Sequence, residues 1–238
     1  MDTATLSRQL EARAPQLATA SVEWMYQDPF WEARYGAERS RRFGDEDARY
    51  HVRYLIQALT EGRPSIMEGY ATWLRTVLVS RGMCSLHLDQ NFAGLQAALA
   101  AEGLGPDSTA HTYVQAGRNA LRYTTGAAGS VQQRSEELAR RAAQALHPEV
   151  PEALHSRLEA ELLLQLSYLE DAIAANNPSL FAQHLSWYQG FWPRRELGAL
   201  PFPRLLAALE EALAPVLADP HEVRAVLTAA RAAKEMSS

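Results

Sequence analysis

One cysteine, Cys84, stands in a chain of 238 residues, so neither an internal disulfide framework nor a cysteine-rich zinc site is available. Lysine is nearly absent. Lys234 is the single example, and arginine supplies the other basic residues. No apolar run reaches the length needed to span a bilayer, because charges interrupt every stretch. The amino terminus, Met1-Asp2-Thr3-Ala4-Thr5, lacks the basic start and apolar core of a secretion signal, and a cytoplasmic location is expected. The net charge of −5 argues against a nucleic-acid surface, which would need a concentrated basic stripe. Period-two alternation is missing too, which excludes a strand-rich fold. The Gly-x-Ser-x-Gly elbow of serine hydrolases is missing, and no glycine loop suited to phosphate occurs.

What is present is helical periodicity nearly throughout. With 47% hydrophobic and 21% charged residues, the chain has the composition of an ordinary globular protein. A first helix carries Leu6, Leu10, Leu17 and Ala18 and runs to about Tyr26. Asp28-Pro29 is an N-cap followed by a proline suited to the first helical position. A short aromatic segment with Phe30, Trp31 and Tyr35 follows, and Gly44 is expected to close it.

The dominant feature is an internal repeat. Residues 54–99 and 168–213 superimpose without a gap at an offset of 114. Identities fall at Tyr54/Tyr168, Leu55/Leu169, Ala58/Ala172, Pro64/Pro178, Ser65/Ser179, Trp73/Trp187, Leu86/Leu200, Ala93/Ala207, Leu95/Leu209, Ala98/Ala212 and Leu99/Leu213. Such a pattern predicts one supersecondary unit used twice. The expected fold is all-α, a tandem duplication of a helical-bundle module in globin-like or four- to five-helix layers. A first module is expected over residues 1–106 and a second over 131–238. Between them, residues 107–130 should form a connecting helix and a flexible link through Thr124-Thr125-Gly126-Ala127-Ala128-Gly129-Ser130. A final helix is expected at residues 222–234.

Polar residues on apolar stripes are the candidate site. His51 and Tyr70 face inward on adjacent helices, and the offset matches them to Gln165 and His184. Two chemistries fit. One is a ligand pocket lined by His51, Tyr70, Gln165 and His184 beside Trp73 and Trp187. The other is a buried hydrogen bond joining two helices. Other motifs read as structural. Cys84-x-x-His87 is a small residue in a turn, Glu152-x-x-His155 lacks the second copy a di-iron bundle requires, and Asp47 and His51 form a local pair. The arginines at 34, 39, 41, 42, 49 and 53 form the densest basic run, interleaved with Asp45, Glu46 and Asp47 so that the surface neutralises itself.

These helical, aromatic-rich modules resemble globin-like sensor domains, some of which hold no haem, in general architecture and without a shared motif. The expected function is accordingly non-enzymatic: sensing, ligand binding or protein interaction, with a small apolar ligand or a protein as partner and no resident cofactor. One alternative is a tetrapyrrole protein that binds haem, bilin or cobalamin through His184 or His51. A second is an enzyme with His51, Tyr70 and His184 as acid–base groups. Alanine-rich stretches at 95–101 and 225–233 favour close helix approach, so a homo-oligomer is expected to be accessible.

Overall fold

A computed structural model describes residues 2–215. Within them the chain is helical, with no strand. The helices are α1 (Thr3–Val22), α2 (Pro29–Tyr35), α3 (Ala37–Glu61), α4 (Ser65–Val79), α5 (Ser85–Ala101), α6 (Thr109–Ala120), α7 (Gly126–Gln132), α8 (Ser135–Leu146), α9 (His155–Ala174), α10 (Pro178–Phe191) and α11 (Phe202–Leu213). The expected helix at 222–234 and the alanine stretch at 225–233 lie outside the described residues. No helix among the described residues is long and apolar enough to cross a membrane.

Two compact units divide the chain. The first holds Met1–Leu78 and Leu86–Leu121; the second holds Val79–Ser85 and the chain from Arg122 onward. The division after Leu121 falls inside the stretch 107–130.

In the first unit α3 is the central helix and packs against α1, α2 and α6. Its inward face is Ala48, His51, Val52, Leu55, Ala58 and Leu59, at helical spacing. Phe92 of α5 is completely buried against it. Capping follows the local chemistry. The Asp28 carboxylate accepts the Phe30 N–H at 2.9 Å, with Pro29 in the first turn of α2.

Two sequence expectations fail in detail. The first helix ends at Val22, and Glu23–Gln27 tightens into a 3-10 turn. The aromatic segment stops at Gly36, whose φ of 83° only glycine adopts without strain, while Gly44 lies inside α3. Position 44 is buried under the Tyr26 hydroxyl, which donates to Asp45 Oδ1 at 2.5 Å.

In the second unit α9 is central and packs against α7, α8 and α10, while α11 packs on α8. Burial along α9 runs almost unbroken from Leu158 to Ile173, so the helix is enclosed on most sides. The expected flexible link is corrected here: residues 126–132 form α7, with Ala128 and Val131 buried. Gln132 pins this helix, because its Oε1 accepts the Tyr123 N–H at 2.5 Å and its Nε2 donates to Glu170 at 3.2 Å. Small residues here permit packing that composition alone reads as looseness.

The central helix of each unit ends in the same way. Gly62 closes α3 at φ 65°, and Asn176, at the offset-related position, follows α9 at φ 47°. The Arg63 N–H donates to Ala58 O at 2.8 Å, and the Asn177 N–H donates to Ala172 O at 2.9 Å. Both are left-handed caps, and a proline starts the next helix in each case, Pro64 or Pro178.

α5 meets the end of α1 through Gly94, where an added Cβ would lie 2.1 Å from the Ser21 carbonyl oxygen. Gly94→Ala is therefore expected to lower the unfolding free energy by about 2 kcal/mol or more in urea titrations. An alanine at an unconstrained helical position would instead raise it by ~1 kcal/mol.

Candidate functional site: paired polar side chains in two helical cores

His51 and Tyr70 meet. The imidazole Nδ1 and the tyrosine hydroxyl are 2.8 Å apart, and the two side chains are buried between α3 and α4. Tyr54, one turn after His51, lies flat on the Tyr70 ring with centroids 3.9 Å apart and planes 14° from parallel. Phe92 closes the imidazole edge-on at 5.0 Å. Helical spacing explains the arrangement: positions 51, 54 and 55 share one face of α3, and the α3–α4 turn brings position 70 opposite.

The second unit repeats the constellation with different chemistry. His184 Nε2 donates to Gln165 Oε1 at 2.9 Å between α10 and α9. Tyr168 lies flat on the His184 ring at 3.4 Å and 13°. Every partner is offset-related: His51 to Gln165, Tyr54 to Tyr168, and Tyr70 to His184. Each pair thus links a central helix to its successor through one hydrogen bond and one ring stack.

Burial sets the charge state. His51 is fully enclosed, and desolvation pushes its imidazole down to about 3, so it is neutral at physiological pH. Burial, reinforced by the negative charge of Asp47, raises Tyr70 above the ordinary tyrosine range. Neither group is poised for proton transfer near neutrality, where a general acid or base works best. The His51 Nε2 has no hydrogen-bond partner, and neither does the Gln165 Nε2. At His184, Gln165 engages the Nε2 nitrogen.

The tryptophans sit differently from their neighbours. Trp73, expected on the inward stripe, is 57% exposed, because α4 turns that edge outward. Trp187 is half-buried and stacks on Phe191 at 5.1 Å. The six site residues therefore form two internal clusters, with the tryptophans toward the outside of each.

His87 is buried between Phe30 and Trp31 at 4.9 and 4.8 Å, and Cys84 is buried. His155 stacks on His147 at 3.7 Å, and its Nε2 donates to Val150 O at 3.1 Å. No group of three or more His, Cys, Asp or Glu side chains among the described residues is placed to hold a metal ion.

Sequence reasoning missed two polar clusters of the second unit. The first centres on Glu161, which receives the Arg195 guanidinium at 2.6–2.7 Å and the Tyr188 hydroxyl. Burial, with the Glu161 charge adding, raises Tyr188 above its ordinary range. Glu161 lies one turn before Gln165 on an apolar face, which was the available signal; Arg195 sits in an irregular connection and gave none.

The second centres on Asp171. It accepts the Ser85 N–H at 2.6 Å, the Ser85 hydroxyl at 2.5 Å and the Tyr123 hydroxyl at 2.6 Å. With the Tyr168 hydroxyl donating to Gly82 O at 3.1 Å, it holds Val79–Ser85 in the second unit. Beside it, burial and the Asp171 charge push Glu170 up to about 8, and Glu170 Oε1 has no partner.

Comparison of the chain with models of known protein families, with curated proteins and with solved structures returns no match. The functional reading therefore rests on the side chains themselves.

Both buried groups make stability depend on pH, with opposite signs. His51 titrates near 6.5 when unfolded and near 3 when folded, so stability is full above 6.5 and falls as pH drops toward 3. Glu170 titrates near 4.5 unfolded and near 8 folded, so its contribution is full below 4.5 and falls as pH rises toward 8. Each slope approaches ~1.4 kcal/mol per pH unit. His51→Gln should flatten the acid side of a urea-unfolding pH profile, and Glu170→Gln the alkaline side. Unchanged slopes in both variants would show that other groups control the profile.

Proposed function

We propose that this chain is a non-enzymatic interaction protein, built as a tandem duplication of a helical module, which engages a protein partner through an aromatic face of its first unit. The observation that carries the reading is the exposure of Trp73 at 57% and Tyr50 at 50%; Trp73 lies 6.2 Å from Tyr70, and Tyr50 lies one helical turn before Tyr54, the partner in the Tyr54–Tyr70 stack. At the offset-related positions the second unit has Leu164, 7% exposed, and the half-buried Trp187. Large apolar side chains grouped in the open mark binding surfaces more often than chance exposure. The polar residues first considered for a pocket are joined in pairs by one hydrogen bond each, which favours a structural role for them and leaves recognition to the outside.

Several features support the duplication: the gapless repeat, the matched left-handed caps, the proline starts, and the two hydrogen-bond-plus-stack constellations in register. Globin-like layering remains the architectural analogy for such a module. A small apolar ligand as partner has no comparable support, since both buried imidazoles are covered by aromatic rings.

Selection of a random peptide library against the immobilised protein tests the interaction reading, with anisotropy titration of the enriched peptides. Tyr50→Ser with Trp73→Ser should weaken their binding about tenfold or more while leaving helicity intact. Peptides indifferent to the double variant would remove this face as the binding site.

The duplication is tested by exchange. Gln165→His and His184→Tyr should each destabilise the protein by about 1–3 kcal/mol, because each leaves a buried polar group mismatched. The double variant installs the first unit's pair and should recover to within ~1 kcal/mol of the parent. Strictly additive losses would mean that the two sites are not equivalent.

A further inference from the structure

The exposed face of α3 is basic as well as aromatic. Arg39, Arg42, Arg49 and Arg53 recur three, seven and four residues apart, which places them on one helical stripe. All four are exposed, and none forms an ion pair. Arg39 and Arg42 lie over the Phe43 ring, each 5.1 Å from its centroid. The intervening acids offset the stripe only in part: Asp45 accepts from Tyr26, Asp47 lies one turn before the inward-facing His51, and Glu38 and Glu46 share the arginine face. Along one edge run Phe43, Tyr50 and Tyr54, and α4 adds Trp73, 6.2 Å from the Tyr70 ring. A stripe of positive charge thus borders a strip of aromatic side chains.

The second unit indicates what such a face accommodates. The offset places Leu163, Leu164 and Ser167 of α9 where α3 has Arg49, Tyr50 and Arg53. Leu164 and Ser167 are buried, within a unit in which α7, α8 and α10 pack on α9. There the positions that correspond to Tyr50 and Arg53 are buried. On α3 the face is open and charged.

We infer that the α3–α4 face of the first unit binds an acidic amphipathic helix of a partner protein. The inference rests on the interaction reading above and adds the chemistry of the partner. Apolar side chains of the helix would lie on Tyr50, Tyr54 and Trp73, and its carboxylates would meet the four guanidinium groups, whose planar forks suit paired carboxylate oxygens. In a protein with a net charge of −5, four arginines without ion pairs on one stripe offer an acidic partner its points of attachment there.

The test uses the full chain and three fluorescein-labelled probes. These are an amphipathic helical peptide with leucine and tryptophan on one face and glutamate beside it, the same peptide with glutamine for glutamate, and single-stranded oligothymidylate. The acidic peptide should bind, weaken as salt is raised, and bind about tenfold more tightly than its glutamine counterpart. Arg49→Glu with Arg53→Glu should weaken it by about tenfold or more, with circular dichroism and Tm confirming an intact fold. Equal binding of the glutamine peptide, lost in the Tyr50→Ser and Trp73→Ser variant, would overturn the charge assignment while sparing the interaction face. Tighter binding of oligothymidylate would overturn the inference in favour of nucleic acid. Absence of binding by either peptide would overturn the inference, and the library selection would then decide the interaction reading separately.

Discussion

Each unit depends on a hydrogen bond buried between its central helix and the helix that follows. His51 and Tyr70 do this in the first unit, Gln165 and His184 in the second. A polar atom withdrawn from water without a partner costs about 1–3 kcal/mol, so such a pair penalises every sliding or rotation of the two helices that would separate it. Apolar contacts alone are more forgiving, because leucine and alanine faces tolerate several registers. The tyrosine stacked on each pair, Tyr54 or Tyr168, adds a flat contact that also fails when the register shifts. The turn that joins the helices is specified as tightly. A left-handed residue, a backbone hydrogen bond across it and a proline start are present in both units.

The same arrangement accommodates different chemistry in the two units. Histidine–tyrosine in one unit and glutamine–histidine in the other occupy matching positions, because the constraint is one donor and one acceptor of suitable reach. Burial then suppresses the acid–base chemistry the residue names suggest. Pushed down to about 3 by burial, the His51 imidazole carries no charge at neutral pH. His51 is in this way an uncharged link between two helices.

Legibility in the sequence followed periodicity. The paired polar residues were visible because they interrupt apolar stripes at helical spacing, and the repeat put each opposite another polar residue. Asp28-Pro29 punctuates the chain as its local chemistry predicts. Gly44 and the glycines of α7 do not, since a glycine inside a helix and one that ends it look alike until the neighbouring chain is known. Arg195 and Tyr123 were invisible for a related reason. Their partners, Glu161 and Asp171, lie 34 and 48 residues away, and no local pattern connects them.

Sequence by itself determined the helical class, the repeat and its offset, and the inward side of α3 and α9, all consequences of side-chain spacing along one chain segment. Tertiary structure decided which polar groups meet, which of them lose their charge, and which aromatic side chains remain outside. Those outcomes depend on contacts between segments far apart in the chain and on how completely water is excluded. Trp73 and Trp187 are the same residue at the same point of the repeat, yet one is open to solvent and the other half-covered, because only the fold sets what lies above them.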